Sequence, residues 1–342
     1  MKQTSRELFK DATSGKKTNR PPVWLMRQAG RFLPEYRELK KAHTFTQIVQ
    51  TPDLAVEATL QPIRRFDFDC AIIFSDILVV AEALGFEYEF KDTGGIRLLK
   101  TVSNEKDVIE LTARVNDVCQ HLQYVKEALQ ILRNELPHKA IYGFCGAPWT
   151  LACYLVQGEN IQGFPKLLQL QQSNPALFEK MMNALTQASI NYANMQLQTQ
   201  IDAFQVFDSH AGLTSLNSYH ELSGKWIAKI VEEIKGKAVS VVFANEMSGR
   251  LAEATKTNAD FYSLDATKKL SEVRSQYNIG LQGNLPPEIL SNSTPQQTAL
   301  RTKEIIDDMK DYGRHIFNLA HGIKPDAKLE NVEAMCQTIR GY

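Results

Sequence analysis

The chain lacks several things that would narrow its function at once. It has no surplus of either charge: 39 Lys and Arg balance 39 Asp and Glu across 342 residues. That removes the electrostatic footprint of a nucleic-acid binder or of a protein held on an anionic membrane. Its five cysteines are odd in number and scattered, with no Cys-x-x-Cys and no His-x-Cys. A disulfide framework is excluded, and so is the commonest soft-ligand metal pattern. No apolar run is long enough to span a bilayer; the run 77–84 is short and interrupted by Glu82. Neither G-x-G-x-x-G nor a P-loop occurs. No low-complexity stretch or Pro/Gly/Ser-rich linker divides the chain. "MKQTSRELFKDA" reads as a helix start, with Thr4 and Glu7 spaced as a capping box, and not as a signal peptide. A reduced, cytoplasmic setting is the expectation.

What is present is an alternation of two hydrophobic periods. Eight short apolar runs occur at 23–26, 70–74, 141–144, 204–207, 239–243, 261–264, 279–281 and 316–319. Helical patterns lie among or after them at 53–65, 105–135, 174–199, 220–234, 298–311 and 329–339. The short runs are mostly continuous, as in parallel strands buried on both faces. Eight strand–helix repeats predict an α/β fold, a single-domain (β/α)8 TIM barrel. A doubly wound sheet is the rival, but its usual Gly-rich first turn is missing. The first two gaps exceed one helix, so extra elements are expected there.

A barrel places its active site at the C-terminal ends of the strands. That rule selects Arg27, Gln28, Gly30 and Arg31 after the first run, then Ser75 and Asp76, then Cys145 and Gly146. It goes on to Asp208, Ser209, His210 and Gly212, to Asn245 and Glu246, and to Asp265. Gln282, Gly283 and Asn284 follow the seventh run, and His321 and Gly322 the eighth. Arg27 and Arg31 share a face if the backbone between them is helical. Two close guanidiniums need an anion between them: a carboxylate-rich ligand, or the protein's own Asp or Glu. Arg37 reads as a solvated helix residue.

Asp76 sits between two apolar runs, where an unpaired carboxylate is costly to ionise. It is a fixed anion for a cationic or N–H-rich ligand, a helix cap, or the partner of the arginines. Pro148 suits a first helical turn, and Tyr154 lies about two turns into that helix, as packing or as a cleft residue. Cys145 and Cys153 read as packing. Asp208, Ser209 and His210 are adjacent, which is not the geometry of a triad. His321 would neighbour the arginines, because the first and last strands of a closed barrel are adjacent.

The segments "PVWLMRQAGRFLPEYR", "LQPIRRFDFDCAIIFSDILVV", "GFCGAPWTLACYLVQG", "FDSHAG", "LQGNL" and "NLAHGIKPD" follow one another over residues 22 to 326. Together they resemble the uroporphyrinogen decarboxylase family of haem biosynthesis. The resemblance implies one (β/α)8 barrel domain over 1–342, with a short N-terminal helical extension. It implies a homodimer without metal or organic cofactor. The implied reaction turns the four acetates of uroporphyrinogen III into methyl groups, giving coproporphyrinogen III and CO2. It places the substrate-binding arginines on Arg27 and Arg31, the essential aspartate on Asp76, and cleft residues on Tyr154, Phe207, Ser209 and His321. Arg27, beside the reacting acetate, is also the candidate proton donor. Two positions depart from the family pattern: Ala320 where Gly is common, and Pro286 where Asp is common. A cobalamin-linked methyltransferase and a tetrapyrrole carrier without activity are the rivals. The first would need the missing His-x-Cys pair.

Overall fold

The computed structural model describes residues 3–90, 95–158 and 164–342. Among these residues nine strands form: β1 (Cys70–Ile72), β2 (Tyr88–Phe90), β3 (Ile96–Leu98), β4 (Ala140–Gly146), β5 (Ala203–Asp208), β6 (Val239–Ala244), β7 (Phe261–Ser263), β8 (Gly280–Leu285) and β9 (His315–Leu319). Seven make one parallel sheet in the order β1-β4-β5-β6-β7-β8-β9, and β2 and β3 form a separate antiparallel ribbon. Every residue of β4, β5, β8 and β9 is buried, as parallel strands covered on both faces require.

The run 23–26 was expected to be the first strand, and it is not one. Only Val23 forms a bridge, to Phe317 of β9. Pro21 and Pro22 have no N–H to give. Leu25 and Met26 donate theirs to side chains, Gln28 Oε1 at 3.1 Å and Asn318 Oδ1 at 2.9 Å. The segment still spans the gap between the sheet's edges. Phe317 N–H donates to Pro22 O at 2.9 Å, and Asp69 N–H donates to Val23 O at 2.9 Å. Seven strands and one bridged segment therefore curl around a common interior.

That interior is packed, with a polar layer in the middle. Trp24 Nε1 donates to Gln282 Oε1 at 3.0 Å, and Gln282 Nε2 donates to Gln205 Oε1 at 3.0 Å and Ser263 Oγ at 3.1 Å. Trp24 also packs on Tyr142, ring centroids 4.8 Å apart. Gln282 thus lies within β8 and not on the rim, because that strand runs four residues past the expected end at 281. The helix Ser5–Ser14 packs against the N-terminal ends of the strands, its Phe9 ring against Tyr142. Its capping box forms as expected: Thr4 Oγ1 accepts from Glu7 N–H, and Glu7 accepts from Thr4 N–H.

Most helical patterns become helices, such as Pro52–Phe66, Pro175–Leu197, Pro295–Met309 and Leu329–Arg340. The stretch 105–135 instead breaks into Glu105–Ala113, a 3-10 turn at Val115–Asp117, Val118–His121 and Gln123–Glu135. The long early gaps hold the extra helices Pro34–Ala42 and Phe45–Gln50 and the β2–β3 ribbon. No described helix is long and apolar enough to cross a membrane.

Candidate active site at the C-terminal mouth

Arg27 stands in a turn with φ +64, so the helical spacing with Arg31 does not exist. The turn is held from both sides. Ile323 N–H donates to Met26 O at 2.9 Å, and Gln28 Nε2 donates to Cys70 O at 3.2 Å. Gln28 is thus buried scaffolding. Arg37 is not merely solvated, for its Nη1 donates to the carbonyls of Arg31 and Phe32 at 3.0 and 3.2 Å. The stem of Arg27 runs across Gly322, where a Cβ would fall 2.5 Å from Arg27 Cδ. Arg27 and His321 are therefore neighbours, as expected for the two ends of the sheet. Arg27 and Arg31 are both exposed, and neither makes an ion pair among the described residues. The reading in which the protein's own carboxylate bridges them is not what forms.

Asp76 follows β1 by four residues. Its Oδ1 accepts the Leu78 N–H at 2.8 Å, so it does turn the chain into the next helix. Its other oxygen has no hydrogen bond among the described residues. Burial pushes the carboxyl up to about 6, while the Leu78 N–H and the charge of Arg27 pull it down. Around it lie the hydroxyls of Ser75, which the strand-end rule selected, and of Tyr124 and Tyr192, which sequence reasoning missed. The buried Tyr124 oxygen has no partner among the described residues, and Ser75 lies close enough to Tyr192 to lower its phenol. The charge of Asp76 is felt at both tyrosines, whose phenols burial has already raised. Their signal in the sequence was weak, because both tyrosines lie on helices far from any strand end.

Phe207 is the penultimate residue of β5 and lies between the rings of Phe144 at 5.4 Å and Phe243 at 5.8 Å. Phe243 in turn stands 5.5 Å from His321. An aromatic wall thus runs along the mouth, and a large apolar residue near the end of a strand was its signal. Burial lowers the His321 imidazole, and the neighbouring Arg27 lowers it further. At neutral pH it is an uncharged donor or acceptor.

Tyr154 lies on the helix Pro148–Gln157, all ten residues of which are buried. Its ring meets His210 at 4.9 Å and Phe164 at 6.1 Å, and burial pushes its phenol up to about 12. Ser209 sits just past β5, where Asn245 Nδ2 donates to its carbonyl at 2.6 Å. Its hydroxyl bonds no described residue. Asp208 is structural: it accepts from Thr150 Oγ1 and Ser223 Oγ, each at 2.7 Å. Burial drives His210 down to about 4, its Nε2 has no partner among the described residues and Asp208 serves Thr150 and Ser223, so Asp208, Ser209 and His210 form no triad. Cys145 and Cys153 are buried with thiols pushed up, which makes them packing residues.

A cavity of about 720 Å³ opens at this mouth, lined by Arg27 and His321 together with Phe243, Glu246, Asp265, Glu288 and Lys324. Each of its acids is already partnered: Glu246 by Arg250 at 3.0 Å, Asp265 by the Ser248 N–H at 2.9 Å, Glu288 by Lys324 at 2.7 Å. The wall can therefore receive an anion at Arg27. A second cavity, about 630 Å³, lies at the opposite end beside Arg6, Asp202 and Asp260. In a strand–helix barrel that end carries stability and not chemistry. Among the described residues no group of three His, Cys, Asp or Glu could hold a metal ion.

The sequence model of the family described as "Uroporphyrinogen decarboxylase (URO-D)" matches residues 4–342. The chain belongs to the uroporphyrinogen decarboxylase family. A uroporphyrinogen decarboxylase of Coxiella burnetii is 36% identical over 337 residues, 95% of this chain and 91% of the relative. One from Methylobacillus flagellatus is 37% identical over 351 residues, covering 99% and 98%. Among solved structures, a methyltransferase from Methanosarcina mazei superposes with a TM-score of 0.83 at 19% identity, over 99% of each chain. That likeness speaks for the fold alone.

Proposed function

We propose that this chain converts uroporphyrinogen III to coproporphyrinogen III in haem biosynthesis, with the residues of the mouth dividing the work. One observation carries the division of roles. A half-buried carboxylate, Asp76, feels the charge of a guanidinium, Arg27, that no acid among the described residues pairs, and Arg31 likewise makes no ion pair among them. A substrate with N–H groups at its centre and carboxylates at its edge complements that arrangement.

Each decarboxylation begins with a proton added to the pyrrole alpha carbon next to the ring carbon that bears the acetate. The ring becomes cationic, the bond to the carboxylate breaks, and its electron pair neutralises the ring as CO2 leaves. A second proton reaches the exocyclic methylene to give a methyl group, and the ring carbon returns its proton. One proton is consumed per CO2, and the ring itself is the electron sink, so no cofactor is required. Asp76 accepts hydrogen bonds from the pyrrole N–H groups and stabilises the cation as it develops. Arg27 holds the reacting acetate, and Arg31 holds a second carboxylate. A guanidinium is a poor acid near neutral pH, so water and a substrate carboxyl stand beside Arg27 as candidate donors of the proton. Neutral His321, Ser209 and Tyr154 orient the remaining carboxylates. Phe207 and its aromatic neighbours form the apolar wall against the macrocycle.

We read the curled seven-stranded sheet as a single-domain (β/α)8 barrel over 1–342 whose first strand is reduced to the bridged segment around Val23. The protein acts as a homodimer in the cytoplasm. The deciding experiment is anaerobic incubation of the purified protein with uroporphyrinogen III and no added cofactor. Coproporphyrinogen III is the expected product, and binding without turnover would make the protein a carrier.

A further inference from the structure

Three acids line the mouth cavity, and they are held with very different firmness. Asp265 is fixed by the N–H groups of Ser248 and Thr267 at 2.9 and 3.0 Å. Glu246 pairs with Arg250, whose side chain is 1% exposed and which also donates to the carbonyl of Ala211 at 3.0 Å. Removing Glu246 would leave a buried guanidinium short of its counter-charge, which is costly. Glu288 differs. It pairs with Lys324 at 2.7 Å, and the two side chains are 52% and 45% exposed. Such a pair is weak, since water competes for both charges. Lys324 also lines the same cavity as Arg27 and His321.

We propose that Lys324 and Glu288 form an exchangeable pair that counts the carboxylates of the bound tetrapyrrole. This rests on the decarboxylase reading of the site. An ammonium has three donors and can leave a half-exposed glutamate for a substrate carboxylate at small cost. The substrate carries eight carboxylates and the product four, because each acetate lost removes one charge. The octacarboxylate draws Lys324 from Glu288. The tetracarboxylate competes less well, Glu288 recovers Lys324, and the product is released. Lys324 is thus a specificity residue, and Glu288 is its internal competitor.

The test is direct anaerobic binding of uroporphyrinogen III and coproporphyrinogen III to the full protein, with steady-state KM alongside. Lys324→Ala is expected to weaken uroporphyrinogen binding by about fivefold and to change coproporphyrinogen binding by less than about twofold. Lys324→Arg keeps the charge and should restore the preference. Glu288→Gln frees Lys324, so it should tighten both ligands and raise product inhibition. Equal weakening of both tetrapyrroles by Lys324→Ala, or weaker binding in Glu288→Gln, would overturn the proposal. The underlying reading fails separately, if the unaltered protein yields no coproporphyrinogen. In that event the binding comparison still decides whether Lys324 counts carboxylates.

Discussion

Asp76 combines a need for charge with a place that opposes it. Its carboxyl sits at about 6 in the folded protein against an ordinary 3.8. The folded state therefore holds this proton more tightly than the unfolded chain does. Its contribution to stability is most favourable below about pH 4 and declines as the pH rises toward 6. Above that, the ionised group costs folding at most about 3 kcal/mol. Asp76→Asn should therefore melt at a higher temperature than the parent at pH 7 while losing about a hundredfold or more in turnover. Thermal unfolding and coproporphyrinogen formation measure the two effects, and wild-type turnover in this variant would refute the role. Because the ionised form is the active one, kcat/KM should fall as the pH drops below about 6. Arg31→Ala should raise the dissociation constant for uroporphyrinogen about tenfold or more, since a charge-assisted contact is lost. Gly322→Ala would drive a methyl into the Arg27 stem. It should lower turnover about tenfold or more through misplacement of the guanidinium, with the circular dichroism spectrum unchanged.

At the scale of elements, the segment that replaces the first strand is held chiefly by side chains. Asp69 is the staple. It accepts from Arg20 Nη1 and Nη2 at 2.6 and 2.9 Å, from the Val23 N–H at 3.0 Å and from Ser5 Oγ at 2.7 Å. One buried carboxylate thus ties the N-terminal helix and the closing segment to the start of β1. Asp69→Ala should destabilise the protein by about 3 kcal/mol, the low end for breaking a buried pair because Arg20 keeps some access to water. Urea unfolding would show it as a shift of midpoint without a change of slope. The sequence announced strong apolar runs such as 204–207 within one or two residues of their observed ends. It could not announce that Leu25 and Met26 would give their N–H groups to side chains, because Gln28 takes one only in this turn and Asn318, which takes the other, lies on β9 far along the chain.

For the whole molecule, the family and the likeness to a methyltransferase separate fold from chemistry. The two share an architecture, yet this chain has no His-x-Cys pair and no described cluster able to hold zinc. A chelator should therefore leave uroporphyrinogen turnover unchanged, and metal analysis of the active protein should find no stoichiometric zinc. Loss of activity that zinc restores would point to a different chemistry. Sedimentation equilibrium should give twice the 38.6 kDa of the chain if the homodimer reading is right.

The sequence by itself determined the alternation of strand and helix, the family, and the residues to inspect at the mouth. It could do so because buried parallel strands leave continuous apolar runs, and a barrel puts its polar residues just past them. Tertiary structure decided what those residues are to one another. Only the folded chain left Arg27 and Arg31 without an ion pair among the described residues. It turned Arg27 on a left-handed backbone and laid its stem across Gly322. It also set Asp76 where burial and Arg27 oppose each other. Such relations depend on which groups meet across the sheet and how far water reaches them, and linear spacing carries neither.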